Sequence, residues 1–173
     1  MRKENRMQAD EKFMRKALEE ARKAYDSNEV PVGAIVVAEG RILASAHNSP
    51  IANNDPSAHA EMLALRKAAR KTGNYRLVDA MLYVTLEPCI MCAGAIIQAR
   101  FCRVVFGARD PKNGGVVSLY RILGDQRMNH RVEVTEGVLK EECGEILSRF
   151  FRQKRVTSAP ASVKQSLRTF CKK

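Results

Sequence analysis

The chain has 173 residues, 45% of them apolar, which is enough for one compact domain with its own core. No apolar run approaches the roughly 20 residues needed to span a membrane, and the charged N-terminus lacks the apolar centre of a signal peptide, so an intracellular, cytoplasmic protein is expected. The net charge of +11 points to a polyanionic partner, and five cysteines, an odd number, do not suggest a disulfide framework.

In chain order, residues 1–9 are polar and are expected as a flexible lead into a helix that Asp10 caps, with Met14, Leu18, Ala21 and Tyr25 on its apolar side. The β-branched run Val32 to Ala38 has buried-strand character. Glu39-Gly40 is a short turn and Arg41 to His47 the antiparallel partner, followed by a polar loop from Ser49 to Pro56. His47 reads as structural or surface-exposed. Ser57 is placed to cap a helix that carries His59 in its first turn and stops at Gly73. Arg66, Lys67, Arg70, Lys71 and Arg76 form a basic cluster whose ordinary reading is a solvated face, with RNA contact as the alternative. Met81 to Leu86 is the next strand, and Glu87-Pro88 opens a second helix bearing Cys89 and Cys92 on one face.

Phe101 to Gly107 is a further strand, so strand, helix and strand form a βαβ unit with a parallel pair, and the sheet is mixed. Asn113-Gly114-Gly115 is too short a cluster to argue for phosphate binding and is read as shaping the backbone. Val116 to Leu123 is expected as a short helix and Arg131 to Thr135 as the last strand. A long terminal helix packs a stripe of Leu139, Cys143, Ile146, Leu147 and Phe150 on the sheet. From Arg152 onward stand seven basic residues and no acidic one, and from Thr157 the composition reads as a disordered tail.

His59-Ala60-Glu61 and Pro88-Cys89-Ile90-Met91-Cys92 carry the chemistry. One imidazole and two thiolates give a zinc ion three protein ligands and leave a fourth position for water, whose pKa the metal lowers towards neutrality. Glu61 is the residue to carry protons between that water and a substrate. Each half of the pattern is weak alone, since Cys-x-x-Cys also serves redox chemistry. Together, each at a loop-to-helix junction, they resemble the cytidine deaminase-like zinc deaminases, whose signature is His-x-Glu with Pro-Cys-x-x-Cys. Helix spacing does not show that His59 and Glu61, two residues apart, converge on one water.

Beyond the zinc motifs, Val30-Pro31-Val32-Gly33, Ala46-His47-Asn48, Ala108-Arg109-Asp110, Met128-Asn129-His130-Arg131 and Phe150-Phe151-Arg152 resemble the bacterial tRNA-specific adenosine deaminases. The likeness implies a three-layer α/β/α sandwich with a mixed, about five-stranded sheet. It also implies one Zn2+ per subunit, a homodimer, and conversion of adenosine to inosine at the wobble position of a tRNA anticodon stem-loop. By the same likeness Asn48 holds the flipped base, while Asp110, Asn129, His130, Phe151 and Arg152 line the path of the anticodon loop. Residues 10–155 form the expected deaminase domain and 156–173 a basic tail outside the likeness. The rival readings are a deaminase of free nucleosides, nucleotides or bases; a non-catalytic RNA-binding zinc module, for which Cys102 is the nearby fourth ligand; and a deaminase paired with an unlike subunit.

Overall fold

The computed structural model describes residues 2–158. Its elements run α1 (Arg2–Asp26), β1 (Gly33–Ala38), β2 (Arg41–His47), α2 (Pro50–Asn53), α3 (Ala60–Thr72), β3 (Met81–Leu86), α4 (Ile90–Gln98), β4 (Arg103–Ala108), a single 3-10 turn (Ile122–Gly124), β5 (Glu133–Glu136) and α5 (Lys140–Ser158). One five-stranded sheet has the order β2-β1-β3-β4-β5. The β1/β2 hairpin and β1/β3 are antiparallel, whereas β3/β4 and β4/β5 are parallel, so the sheet is mixed as expected.

Alternation along the strands separates two cores. Ala34, Val36, Leu82, Val84, Val104 and Phe106 face α3 and α4, where Ala60, Ala64, Ala68, Ala93 and Ile96 meet them. Ile35, Val37, Tyr83 and Val105 face Met14, Ala17, Leu18 and Ala21 of α1 and Cys143 and Ile146 of α5. A period of two within central strands thus produces the three-layer α/β/α sandwich. Gly107 lets α5 approach β4: a Cβ there would lie 2.4 Å from Cys143 Sγ.

Several local expectations change. The helix expected to start at Asp10 begins at Arg2, so the stretch expected as a flexible lead forms the first turns of α1, and Arg6 pairs with Glu133 of β5. Asp10 is no cap. It is buried, takes Arg103 Nη1 and Nη2 at 2.8 and 2.6 Å, and accepts the Tyr83 hydroxyl at 2.8 Å. Pairing, not capping, is what removes the cost of a buried carboxylate there. The polar loop after Asn48 contains α2, and the stretch expected as a helix from Val116 is mostly turn. Helix α5 continues through Ser158, so the first residues assigned to the tail are helical; the remainder, including Lys164, Arg168, Cys171, Lys172 and Lys173, lies outside the described residues.

The basic cluster on α3 also divides. Lys67 and Lys71 donate to the carbonyls of Ser45 and Leu43, at 3.0 and 3.2 Å, on the open side of the edge strand β2, where a charge blocks pairing with another chain. His47 Nδ1 lies 2.9 Å from Glu20 Oε2, in keeping with a structural role. No helix of the described residues is long and apolar enough to cross a membrane.

A stability test follows from the buried pair. Asp10→Ala leaves the Arg103 guanidinium, 5% exposed, without its carboxylate, and stranding one partner of such a pair costs about 3–5 kcal/mol. At roughly 2–4 °C per kcal/mol for a chain of this size, thermal unfolding should show Tm lower by about 6–20 °C. The double replacement Asp10→Leu, Arg103→Met should recover most of that loss, because no charge is then stranded. A Tm unchanged in Asp10→Ala would show that the pair contributes nothing.

Candidate active site

The site lies at the C-terminal ends of the parallel strands β3 and β4, where open α/β sheets present ligands to the helix N-termini that follow. His59 is the N-cap of α3 and Cys89 the N-cap of α4, both with extended backbone, and Cys92 is the third residue of α4. Neither N-cap side chain makes a capping hydrogen bond to its helix. Capping side chains ordinarily accept an N–H of the first turn; here they turn towards one another instead. Asn48 takes up part of that duty, its Oδ1 accepting the Ala60 N–H at 2.8 Å.

Among the described residues, His59, Cys89 and Cys92 form a cluster whose donor atoms all lie within 4.8 Å of one another. Nδ1 of His59 is 3.6 Å from each sulfur. Bonds of about 2.3 Å to sulfur and about 2.0–2.1 Å to nitrogen at tetrahedral angles require a sulfur-to-nitrogen separation of about 3.5–3.6 Å. The donor set therefore fits zinc in type and in spacing. Cys102, the fourth ligand that a structural zinc module would need, does not join it; its thiol donates to the Ala80 carbonyl at 3.2 Å, and it is half-buried. Cys143 is fully buried.

The electrostatics suit a metal site. A hydrogen bond from Cys92, and after it one from His59, holds the Cys89 thiol down to about 4 against the effect of burial. Cys92 is pushed up by the neighbouring Cys89 and by burial, so Cys89 releases its proton first in the metal-free pair. Two helix N-termini add partial positive charge in favour of thiolate. The Cys89 hydrogen bond raises His59. Burial pushes the Glu61 carboxyl up to about 7, with His59 opposing. Glu61 is 5% exposed and borders the same cleft as His59 and Cys89 without belonging to the donor cluster.

That cleft, of about 1130 Å³, is floored by Val30, Val32 and Leu86 and walled by the loop from Arg109 to Asn113 and by one side of α5. Leu147, Ser148, Phe151, Arg152 and Arg155 line it at helical spacing, while Cys143, Ile146 and Phe150 of the same helix are buried. Phe151 is 46% exposed and is cleft wall, not core. Asn48, Asp110 and Arg152 also line the cleft. Asp110 has a turn role as well: its Oδ1 takes the N–H groups of Lys112 and Asn113 at 2.9 and 3.2 Å.

Asn129 and His130 are not brought to the cleft. They precede β5, and His130 Nε2 donates at 2.6 Å to the carbonyl of Phe101, ahead of β4, at the opposite end of the parallel strands. Sequence reasoning in turn passed over Glu87 and Lys112, whereas the basic run from Arg152 already included Arg155, which the structure brings to the cleft. An acidic residue directly after a buried strand is a signal that finds Glu87.

Glu87 is 2% exposed. Burial works against its charge, but hydrogen bonds from Ser118, Val117 and Asp110 outweigh it and hold the carboxyl below the usual range. Gly114 and Gly115 shape the backbone as expected. A Cβ on Gly114 would lie 2.4 Å from the Glu87 carboxyl carbon, and one on Gly115 2.8 Å from the Ile90 nitrogen, so the loop passes against the turn that carries Cys89 only without side chains.

The family model of MafB19-like deaminases matches residues 8–155. The chain is 52% identical over 151 residues to the tRNA-specific adenosine deaminase of Haemophilus influenzae, covering 87% of each chain. It is 50% identical over 149 residues to that of Bacillus subtilis, covering 86% of this chain and 92% of that one. A solved structure from studies of A-to-I editing by tRNA:A34 deaminases at the wobble position of transfer RNA shares a TM-score of 0.76 at 46% identity, over 78% of this chain and 98% of that one. The family match spans all five strands and the helix starts that carry His59 and Cys89, and the chain belongs to the bacterial tRNA-specific adenosine deaminases, within the zinc-dependent deaminases of cytidine deaminase-like fold.

Proposed function

We propose that this protein hydrolyses adenosine to inosine at the wobble position of a tRNA anticodon, in the cytoplasm, with one zinc ion per subunit held by His59, Cys89 and Cys92. The observation that carries the reading is the His59–Cys89–Cys92 triangle beside a buried Glu61 on a wide cleft with cationic walls. A zinc ion held by these three residues would supply an activated water near neutral pH.

The remaining steps belong to side chains. Glu61 takes one proton of the attacking water and delivers it to N1 of adenine, making C6 electrophilic, while the water oxygen bonds to C6. It then takes the remaining hydroxyl proton and passes it to the exocyclic nitrogen, so that the C6–N bond breaks, ammonia leaves and the C6 carbonyl of inosine remains. Because Oδ1 of Asn48 is committed to the Ala60 N–H, its amide NH2 is the group left to donate to an acceptor on the flipped base.

The size and charge of the cleft favour a loop of RNA over a free nucleoside. Its volume is above the usual range for small-molecule pockets, and Lys112, Arg152, Lys154 and Arg155 lie along it. Phe151 offers a face for stacking an unpaired base. A homodimer agrees with the exposed Ile90, Met91, Leu119 and Tyr120. Backbone bonds from Leu119 and Tyr120 to Gly114, and the Gly114–Cys89 bridge, hold these two segments side by side. Asn129 and His130 would then reach RNA only from a partner subunit. Incubating the zinc-loaded protein with total tRNA and sequencing for A-to-G changes tests the function; no conversion at any wobble adenosine would refute it.

The cationic wall makes a separate prediction. Replacing Arg152 and Arg155 by alanine should weaken tRNA binding and flatten its salt dependence by about 1.4–1.8 in log–log slope, with saturated turnover little changed. Truncation after Val156 removes Lys164, Arg168, Lys172 and Lys173 and should do less, because Arg152 and Arg155 are held on α5 against the cleft. Titration of both proteins with tRNA at two salt concentrations reads the difference. An unchanged slope in the double variant would remove these arginines from the RNA path.

A further inference from the structure

The loop from Asp110 to Ser118 contains no helix or strand of its own, and its first residues, Asp110 to Asn113, form one wall of the cleft. Both ends of it are gathered on one buried carboxylate. Oε1 of Glu87 accepts the N–H groups of Val116, Val117 and Ser118 at 3.1, 2.7 and 2.9 Å. Oε2 accepts the Asp110 N–H at 3.0 Å and the Ser118 hydroxyl. Asp110, so placed, gathers the N–H groups of Lys112 and Asn113 on its own side chain. Glu87 itself is tied down by its N–H, which donates to the Ala108 carbonyl at 2.8 Å, and it stands two residues before Cys89. From the other side, the Gly115 N–H donates to the Pro88 carbonyl at 2.8 Å.

We infer that Glu87 is a positioning residue for the deamination: its carboxylate clasps the loop that walls the cleft to the turn that carries Cys89, so that bound nucleic acid and the metal-binding triangle are held in one register. Removing a clasp of this kind should move the loop more than the fold. Strands β3 and β4 and helix α4 are secured by their own ladders and by the buried core, whereas the backbone donors of residues 116–118 have this one acceptor.

The inference rests on the deaminase reading above, and its test separates the two. Glu87→Gln keeps an oxygen for the three N–H groups of residues 116–118 but turns an NH2 towards the Asp110 N–H, opposing donor to donor. In the zinc-loaded full chain this variant should keep its zinc and its fold, exchange the amide hydrogens of Asp110, Lys112 and Asn113 faster, and raise KM for an anticodon stem-loop about 10-fold with kcat changed less than about 3-fold. Asp10→Ala, destabilised far from the cleft, should lower Tm without that split, which distinguishes positioning from general loosening. Ser118→Ala removes one donor from the clasp and should shift KM in the same direction by about 3-fold, so the inference can be judged even if Glu87→Gln fails to fold. Unchanged exchange and unchanged KM in a folded variant would overturn it, as would a KM change that appears only with loss of zinc. Wild-type protein inactive on the stem-loop would instead count against the deaminase reading, while loop exchange would still decide whether Glu87 is the clasp.

Discussion

Glu61→Gln should retain zinc and fold while losing deamination by at least about 100-fold, because positioned proton transfer contributes about 10²–10⁴ in rate. An amide of the same shape cannot take a proton from water or return one to the leaving nitrogen. Stability should move the other way. Glu61 is buried with its carboxyl raised above the unfolded value of 4.5 to about 7. A carboxyl so shifted binds its proton more tightly folded than unfolded, so folding loses stability as pH rises from about 4.5 to about 7 and stays lower above that. Glutamine has no such titration. In the metal-free protein, Glu61→Gln should therefore match or exceed the wild-type Tm at pH 8, with the difference shrinking towards pH 5. Single-turnover assays with metal analysis check the first half, and thermal unfolding across pH the second. Turnover near wild type would remove Glu61 from the mechanism.

Cys89→Ala should lose zinc. Removing one of three protein ligands should exceed the roughly 10–100-fold affinity loss that follows from deleting a mere outer-sphere partner of a metal ligand. The loss should also lower stability, since metal affinity is folding free energy when the unfolded chain has no preformed site. The control is Cys102→Ala. Its thiol is spent on the Ala80 carbonyl and lies outside the donor cluster, so zinc content and activity should be unchanged. Metal analysis of both variants after dialysis reads the result. Full zinc in Cys89→Ala would sink the ligand assignment, and zinc lost in Cys102→Ala would revive a four-ligand structural site and with it a non-catalytic RNA-binding module.

Much of this was legible because it is local. The β-branched run at Val32 to Ala38, the Glu39-Gly40 turn with both residues at positive φ, and the Gly73 stop each depend on a few neighbouring residues. Ligand chemistry is legible for the same reason: imidazole, thiolates and carboxylate are properties of residue type, and Cys89 and Cys92 sit three apart on a helix start. Misread elements are those in which a distant partner overrides a local preference. Asp10 has the composition of a helix cap but is taken by Arg103 and Tyr83 from two other strands. Ser57 looks like the cap of α3, yet its N–H and hydroxyl go to Asp55 and the helix starts after His59.

By itself, then, the sequence determined the donor set, the carboxyl that stands beside it, the mixed sheet and the basic terminal helix, since each follows from residue type or from spacing within one element. Only the tertiary structure decided convergence. Two residues apart on a helix would not share a face, but His59 stands outside α3 as its extended N-cap and Glu61 inside its first turn, so both reach one cleft. Cys89, 30 residues further on, joins them because β3 and its neighbours set the two helix starts side by side. The same long-range packing turns one side of α5 into a cleft wall and sends Asn129 and His130 to the far end of the sheet, since strand direction, which no local pattern encodes, decides the end at which a loop emerges.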